Sequence, residues 1–203
     1  MREAGGSGVG EAVHSSLVAL LQALILFAPL LVSAALSGMV MRLDLFPALK
    51  APVDAGRTVR GRPLFGANKT WRGFAVAVAG SVAAVAIERA IPFPRWMCVV
   101  DYGSINPAAF GAALGLGAML GELPNSFVKR QLGIAPGKTA SGARRFAFYL
   151  WDQLDLLTGA WPLLSIWVHP SLRLVAASVV LALVLHPLVA VIGFVVRART
   201  SAR

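Results

Sequence analysis

Charge is scarce in this chain. Only 14% of its 203 residues are Asp, Glu, Lys or Arg, while 57% are hydrophobic and the mean hydropathy is +0.72. A soluble domain carries about a quarter charged residues, so an ordinary soluble domain is excluded and a polytopic membrane protein is indicated. Cysteine is nearly absent: the single Cys98 excludes an internal disulfide and a cysteine-based metal cluster. The three histidines, His14, His169 and His186, are scattered and form no ligand set. No Gly-x-Ser-x-Gly nucleophile motif is present. Gly61-x4-Gly66 is not a P-loop, because Lys69-Thr70 comes two residues too late and no strand is expected before it. Internal repeats and low-complexity tracts are also missing. Acids are few, 9 against 19 Lys and Arg, giving a net charge of +10. No segment is long enough to form an exposed basic domain, so nucleic acid is not the expected partner.

What is present is a series of apolar runs. They predict an all-α polytopic transmembrane bundle of about five spans, forming one integral membrane domain over 1–203. The first run, Leu17 to Met41, is too long for a signal-peptide core, and Glu3 and Glu11 precede it against only Arg2. It reads as an anchor and not a cleaved leader. The second spans Gly73 to about Ile91. The third begins near Pro107 and ends near Gly121, with Gly111, Gly115, Gly117 and Gly121 spaced for close helix contact, as suits a central helix. The fourth covers about Leu154 to Val168 with Pro162 inside, and the last Leu172 to Val196. Lys and Arg concentrate in loops 42–72 and 122–152 and after the last span, at Arg197, Arg199 and Arg203. Alternation across five spans puts these segments on one side. The positive-inside rule makes that side cytoplasmic and the N-terminus external.

Three polar segments abut the spans. In Asn68-Lys69-Thr70-Trp71-Arg72-Gly73, a helix starting at this point would place Lys69 and Arg72 on one face, near an N-terminus suited to an anion. Gly66 and Gly73 permit close backbone approach. The plain alternative is snorkelling cations with an interfacial Trp. In Glu122-Leu-Pro-Asn-Ser126, a helix starting near Pro124 would bring Ser126, Lys129 and Arg130 onto neighbouring turns; Asn125 or Ser126 capping that helix is the structural alternative. Glu122 ends a Gly-rich span, where an acid is costly unless paired or metal-bound. Asp152 and Asp155 share a helical face at the mouth of the fourth span, a placement suited to Mg2+. Two acids meeting a helix dipole are the simpler reading.

Ser126-x-x-Lys129-Arg130, then Gly133, then Asp152-Gln-Leu-Asp155, resembles the signature of CTP-dependent cytidylyltransferases acting on membrane lipid phosphates. Gly66-x-Asn68-Lys69-Thr70-x-Arg72-Gly73 is similar to the version found in CDP-archaeol synthases. The resemblance runs from about Asp54 to the last span. It implies transfer of CMP from CTP to a lipid phosphate with Mg2+ and release of pyrophosphate, which the Lys and Arg distribution puts at the cytoplasmic face of the cell membrane. It implies metal binding by Asp152 and Asp155, to which the cost of Glu122 adds a third candidate. Lys69, Arg72, Lys129 and Arg130 would act on phosphates, and Asn68, Thr70, Gly73, Ser126 and Lys138 would line the substrates. Two positions depart from the pattern. The family usually has Asp where Glu122 stands, and the bacterial diacylglycerol branch usually has Arg where Gln153 stands, which favours the archaeol-like branch. A non-catalytic transporter or scaffold, and a lipid kinase or phosphatase using the same metal logic, are the rival readings.

Overall fold

The computed structural model describes residues 4–201, with side-chain surroundings over 8–185 and at 187 and 188. Arg2, Glu3 and Arg203 of the topology argument lie outside the described residues, as do the side chains of Arg197, Arg199 and His186. The helices are α1 (Ala4–Arg42), α2 (Trp71–Ala90), α3 (Pro107–Gln131), α4 (Arg144–Leu164) and α5 (Leu172–Ser201). Of these, α1 from Gly8 and the whole of α2 are long and apolar enough to cross a membrane, and Leu172–Leu185 of α5 is a shorter apolar stretch.

Local chemistry fixes where the helices begin. Thr70 caps α2 by accepting from the Gly73 N–H at 3.2 Å. Asn106 caps α3 by accepting from Ala108 and Ala109, with Pro107 in the first turn, where its missing N–H costs nothing.

The third helix packs between α2 and α4, and α1 lies against α2 and α5. Glycine makes both α3 seams possible. A Cβ on Gly111 would stand 2.5 Å from Val82 Cα, and one on Gly115 2.5 Å from the Ala77 carbonyl, both on α2. On the opposite side, a Cβ on Gly117 would stand 2.7 Å from Ala160 Cα, and one on Gly121 2.7 Å from Gly159 N. Side chains at these positions would push the helices apart. Phe110, Leu114, Leu26, Val85 and Leu164 fill the core, with Phe110 edge-on to Trp167. Leu17, Leu21, Val32, Ile87, Leu120 and Val180 face outward, as lipid-facing residues do.

Several boundaries differ from the sequence reading. No helix starts near Pro124: α3 continues through it to Gln131, so Asn125 and Ser126 are mid-helix and cap nothing. The segment 122–152 is therefore a loop only over 132–143, because α4 begins at Arg144, ten residues before the expected fourth span. Apolar runs report the part of a helix that meets lipid, whereas both helices extend past it with polar faces turned to each other. The chain is also not purely helical. β1 (Thr58–Val59) and β2 (Arg62–Pro63) form a small hairpin. Its turn, Arg60-Gly61, has positive φ at both residues, the conformation that matches the strand twist in a two-residue hairpin.

Candidate functional site

Asp54 organises the first polar loop. Its buried carboxylate accepts from the backbone N–H groups of Gly56 (3.0 Å), Phe65 (2.9 Å) and Gly66 (3.1 Å). Nearby, Val53 donates to the Lys69 carbonyl and Trp71 to the Ala51 carbonyl, so residues 51–53 and 69–71 run side by side. The motif from Asn68 to Arg72 is thus held on a braced loop. Burial pushes the Asp54 carboxyl up, but the three N–H groups outweigh it and hold its pKa below the usual value. A depressed carboxylate stabilises the fold above its unfolded pKa of about 3.9 and loses that contribution as pH falls through the lower folded value. The Asp54→Ala variant is accordingly expected to expose 55–66 to protease at neutral pH, where the native loop resists. Equal cleavage of both proteins in limited proteolysis would contradict this role.

The loop delivers Lys69 to α3. Thr70 is the cap, so Lys69 precedes α2 and does not share a helical face with Arg72 as expected. Lys69 pairs with Glu122, while Arg72 turns to Asp44 (3.0 Å) and the Leu45 carbonyl (3.1 Å). Thr70 and Gly73 are bonded to each other by the cap. Asn68 is exposed and approaches Gly137. Gly66, at φ +89°, lies against the next segment: a Cβ there would meet Pro136 Cγ at 3.1 Å and Arg130 Cδ at 3.3 Å.

Along α3, Glu122, Asn125 and Lys129 follow one face at spacings of three and four. That face meets Asp152 and Asp155 of α4. Lys129 pairs with Asp152. Asn125 Nδ2 donates to Asp152 Oδ1 at 2.6 Å and to Asp155 Oδ2 at 2.8 Å. Asp155 Oδ1 accepts from the Leu156 N–H at 2.8 Å. Next on α3, Arg130 is buried, and its Nε and Nη1 have no partner among the described residues. A buried guanidinium with idle donors is expensive unless an anion meets it. The structure therefore brings together Lys69, Glu122, Lys129, Asp152 and Asp155, with Arg130 beside them under the first loop. It leaves Arg72 with Asp44 and Lys138 exposed in 132–143, and Ser126 is half-buried on α3 with no side-chain bond among the described residues.

The acids fit a hard divalent cation in part. All donors are carboxylate oxygens, and two are aligned by one amide. Among the described residues no three His, Cys, Asp or Glu side chains converge as a ready-made cage. Two carboxylates completed by substrate phosphates is the arrangement Mg2+ favours.

Lys69, Glu122, Asn68 and Gly73 also line one end of a cavity of about 460 Å3. The rest of its wall is mainly apolar, including Phe27, Leu30 and Leu31 of α1, Leu157 of α4 and Leu181 of α5. Charged groups at one end and an apolar wall beyond suit an amphiphile with an anionic head.

Sequence reasoning missed Asp54 as a brace and read Asn125 only as a cap. Asp54 has no motif signal, because its partners are backbone groups. Asn125 had one: a buried-face amide one helical turn from a Lys and across from paired acids.

The family model for CarS-like CDP-archaeol synthases matches residues 16–200. A CDP-archaeol synthase of Halobacterium salinarum is 40% identical over 118 residues, covering 58% of this chain and 60% of that relative's length. Those of Hyperthermus butylicus and Methanoculleus marisnigri are 35% and 34% identical, covering 65% and 70% of this chain and 70% and 84% of theirs. A solved structure of an intramembrane enzyme for archaeal membrane lipids biosynthesis superposes with a TM-score of 0.58 at 28% identity, over 85% of this chain and 94% of that one.

Proposed function

The chain belongs to the CDP-archaeol synthase family, and from that premise we propose that it transfers CMP from CTP to a membrane lipid phosphate, releasing pyrophosphate. It is an integral membrane protein, a reading supported by its apolar helices and by its likeness to an intramembrane enzyme. The observation that carries the reaction is the cavity that begins at Lys69 and Glu122 and continues between apolar helix faces. Such a cavity suits a substrate with a charged head and hydrocarbon tails.

A lipid phosphate oxygen attacks the α-phosphorus of CTP in line. A new P–O bond forms, the α–β bridging P–O bond breaks, and its electrons leave with pyrophosphate. A phosphate oxygen is already a nucleophile, so the chain needs no activated Ser or Cys. Its work is positioning and charge neutralisation. Lys69 and Lys129, each now paired with an acid, and the buried Arg130 hold phosphate oxygens, Arg130 through its two unpartnered donors, Nε and Nη1. Arg72 supports the first loop through Asp44 and adds positive potential at its base. Asn68, Thr70, Gly73, Ser126 and Lys138 line the substrates around this core. A divalent cation, Mg2+ in this reading, bound by Asp152 and Asp155 with Glu122 nearby, supplies charge neutralisation for the phosphates.

About five spans in a single domain over 1–203 would place 42–72, 122–152 and the C-terminus on the cytoplasmic side of the cell membrane, with the N-terminus outside. In a Cys98→Ser background, a membrane-impermeant maleimide should label Ser104→Cys in intact cells and leave Thr139→Cys unlabelled until lysis. The reverse pattern would overturn the orientation.

The reaction is tested by incubating purified protein with CTP, a lipid phosphate and Mg2+ and identifying the small product. Pyrophosphate supports cytidylyl transfer. A nucleoside diphosphate or free phosphate would indicate the kinase or phosphatase reading, and no turnover the transporter or scaffold.

A further inference from the structure

Asn125 is a weak helix former placed in the middle of α3 and only 2% exposed. A buried amide is costly unless its groups are satisfied. Here one NH2 group serves two carboxylates, Asp152 Oδ1 at 2.6 Å and Asp155 Oδ2 at 2.8 Å, which sit one helical turn apart on α4. Asp155 is turned further by the Leu156 N–H on its other oxygen, and Asp152 by Lys129 on the same oxygen that meets Asn125. Among the described residues, Asp152 Oδ2 receives no donor and Asn125 Oδ1 is buried without a partner.

From these contacts we infer that Asn125 is a positioning residue that aligns the Asp152 and Asp155 carboxylates as a divalent-cation site. The inference rests on the cation reading given above. An amide suits this task because it orients acids without cancelling their charge. A Lys or Arg at 125 would neutralise them, an Asp would repel them until a cation entered between the three carboxylates, and a Leu of similar branched shape would leave them unaligned. The idle Oδ1 adds a neutral oxygen at the same seam, the donor type a hard cation accepts.

The test is Mn2+ binding by the purified full-length protein in detergent, followed by electron paramagnetic resonance without nucleotide. Thermal unfolding is measured with and without Mn2+. Wild type should bind, and Asn125→Leu should bind at least tenfold more weakly. Asn125→Asp, which adds a third carboxylate, should show a larger rise in Tm on adding Mn2+ than wild type does; it decides the matter if Asn125→Leu does not fold. A folded Asn125→Leu that binds as wild type does overturns the inference alone, as does an Asn125→Asp protein whose Tm gains no more than wild type. A wild-type protein that binds no Mn2+ overturns the cation reading, and this inference with it.

Discussion

Replacing Asp155 with alanine is expected to lower CMP transfer on the order of 10³-fold, the upper end of what loss of one preorganised electrostatic group costs an active site. The carboxylate is buried on α4 and held from two directions, by Asn125 and by the Leu156 N–H. A group fixed this firmly pays no reorganisation when the phosphates arrive, and that makes its removal costly. The loss should fall on the rate at saturating CTP more than on the KM, because charge at the α-phosphorus redistributes as the pyrophosphate departs. Asp155→Asn keeps the shape but not the charge, and it should be nearly as impaired. A merely structural role predicts that Asn rescues what Ala loses. Single-turnover transfer by the two purified variants separates these outcomes, and full activity in Asp155→Ala would remove Asp155 from the machinery.

The second large effect lies at a residue with no functional groups. Gly159 of α4 meets Gly117 and Gly121 of α3 so closely that an added Cβ would stand 2.5 Å from Gly121 N and 2.7 Å from its Cα. Both neighbours are backbone, so nothing flexible can yield. Gly159→Ala should therefore force α3 and α4 apart. Overpacking of this kind costs about 1–3 kcal/mol. It also shifts Asp152 and Asp155 relative to Asn125 and Lys129, and misplacement by about 1 Å is worth roughly 10²-fold in rate. Gly10→Ala is the control: nothing lies within 4 Å of its Cβ, and it should change stability by less than about 0.5 kcal/mol. Thermal unfolding and transfer assays on both variants provide the check. A Gly159→Ala protein with native activity would show that the seam does not position the acids.

These expectations divide according to what a sequence can reveal. The glycines of the third span were legible as a packing stripe, because small residues at fixed spacing have few other uses in a membrane helix. The shared face of Asp152 and Asp155 followed from helical periodicity. The course of α3 past Pro124 did not. Glu122, Lys129 and Arg130 suggested a loop because hydropathy treats a charge as an exit from the bilayer, whereas these charges face another helix. The hairpin at 58–63 is too short to show a period of two, and only the Arg60-Gly61 turn marks it. Asp54 was invisible for another reason: three backbone N–H groups give it its role, and backbone has no letter in a sequence. Arg72 was expected beside Lys69, yet with Thr70 as the cap the helix starts at Trp71, two residues too late for them to share a face.

The proposed reaction joins a lipid phosphate to the α-phosphorus of CTP. The most direct measurement uses CTP labelled in separate experiments at the α- or the γ-phosphorus, with purified protein, Mg2+ and a lipid phosphate acceptor. In that reaction α-label enters the lipid fraction while γ-label leaves as pyrophosphate. Appearance of γ-label in the lipid, or of neither label, would contradict it.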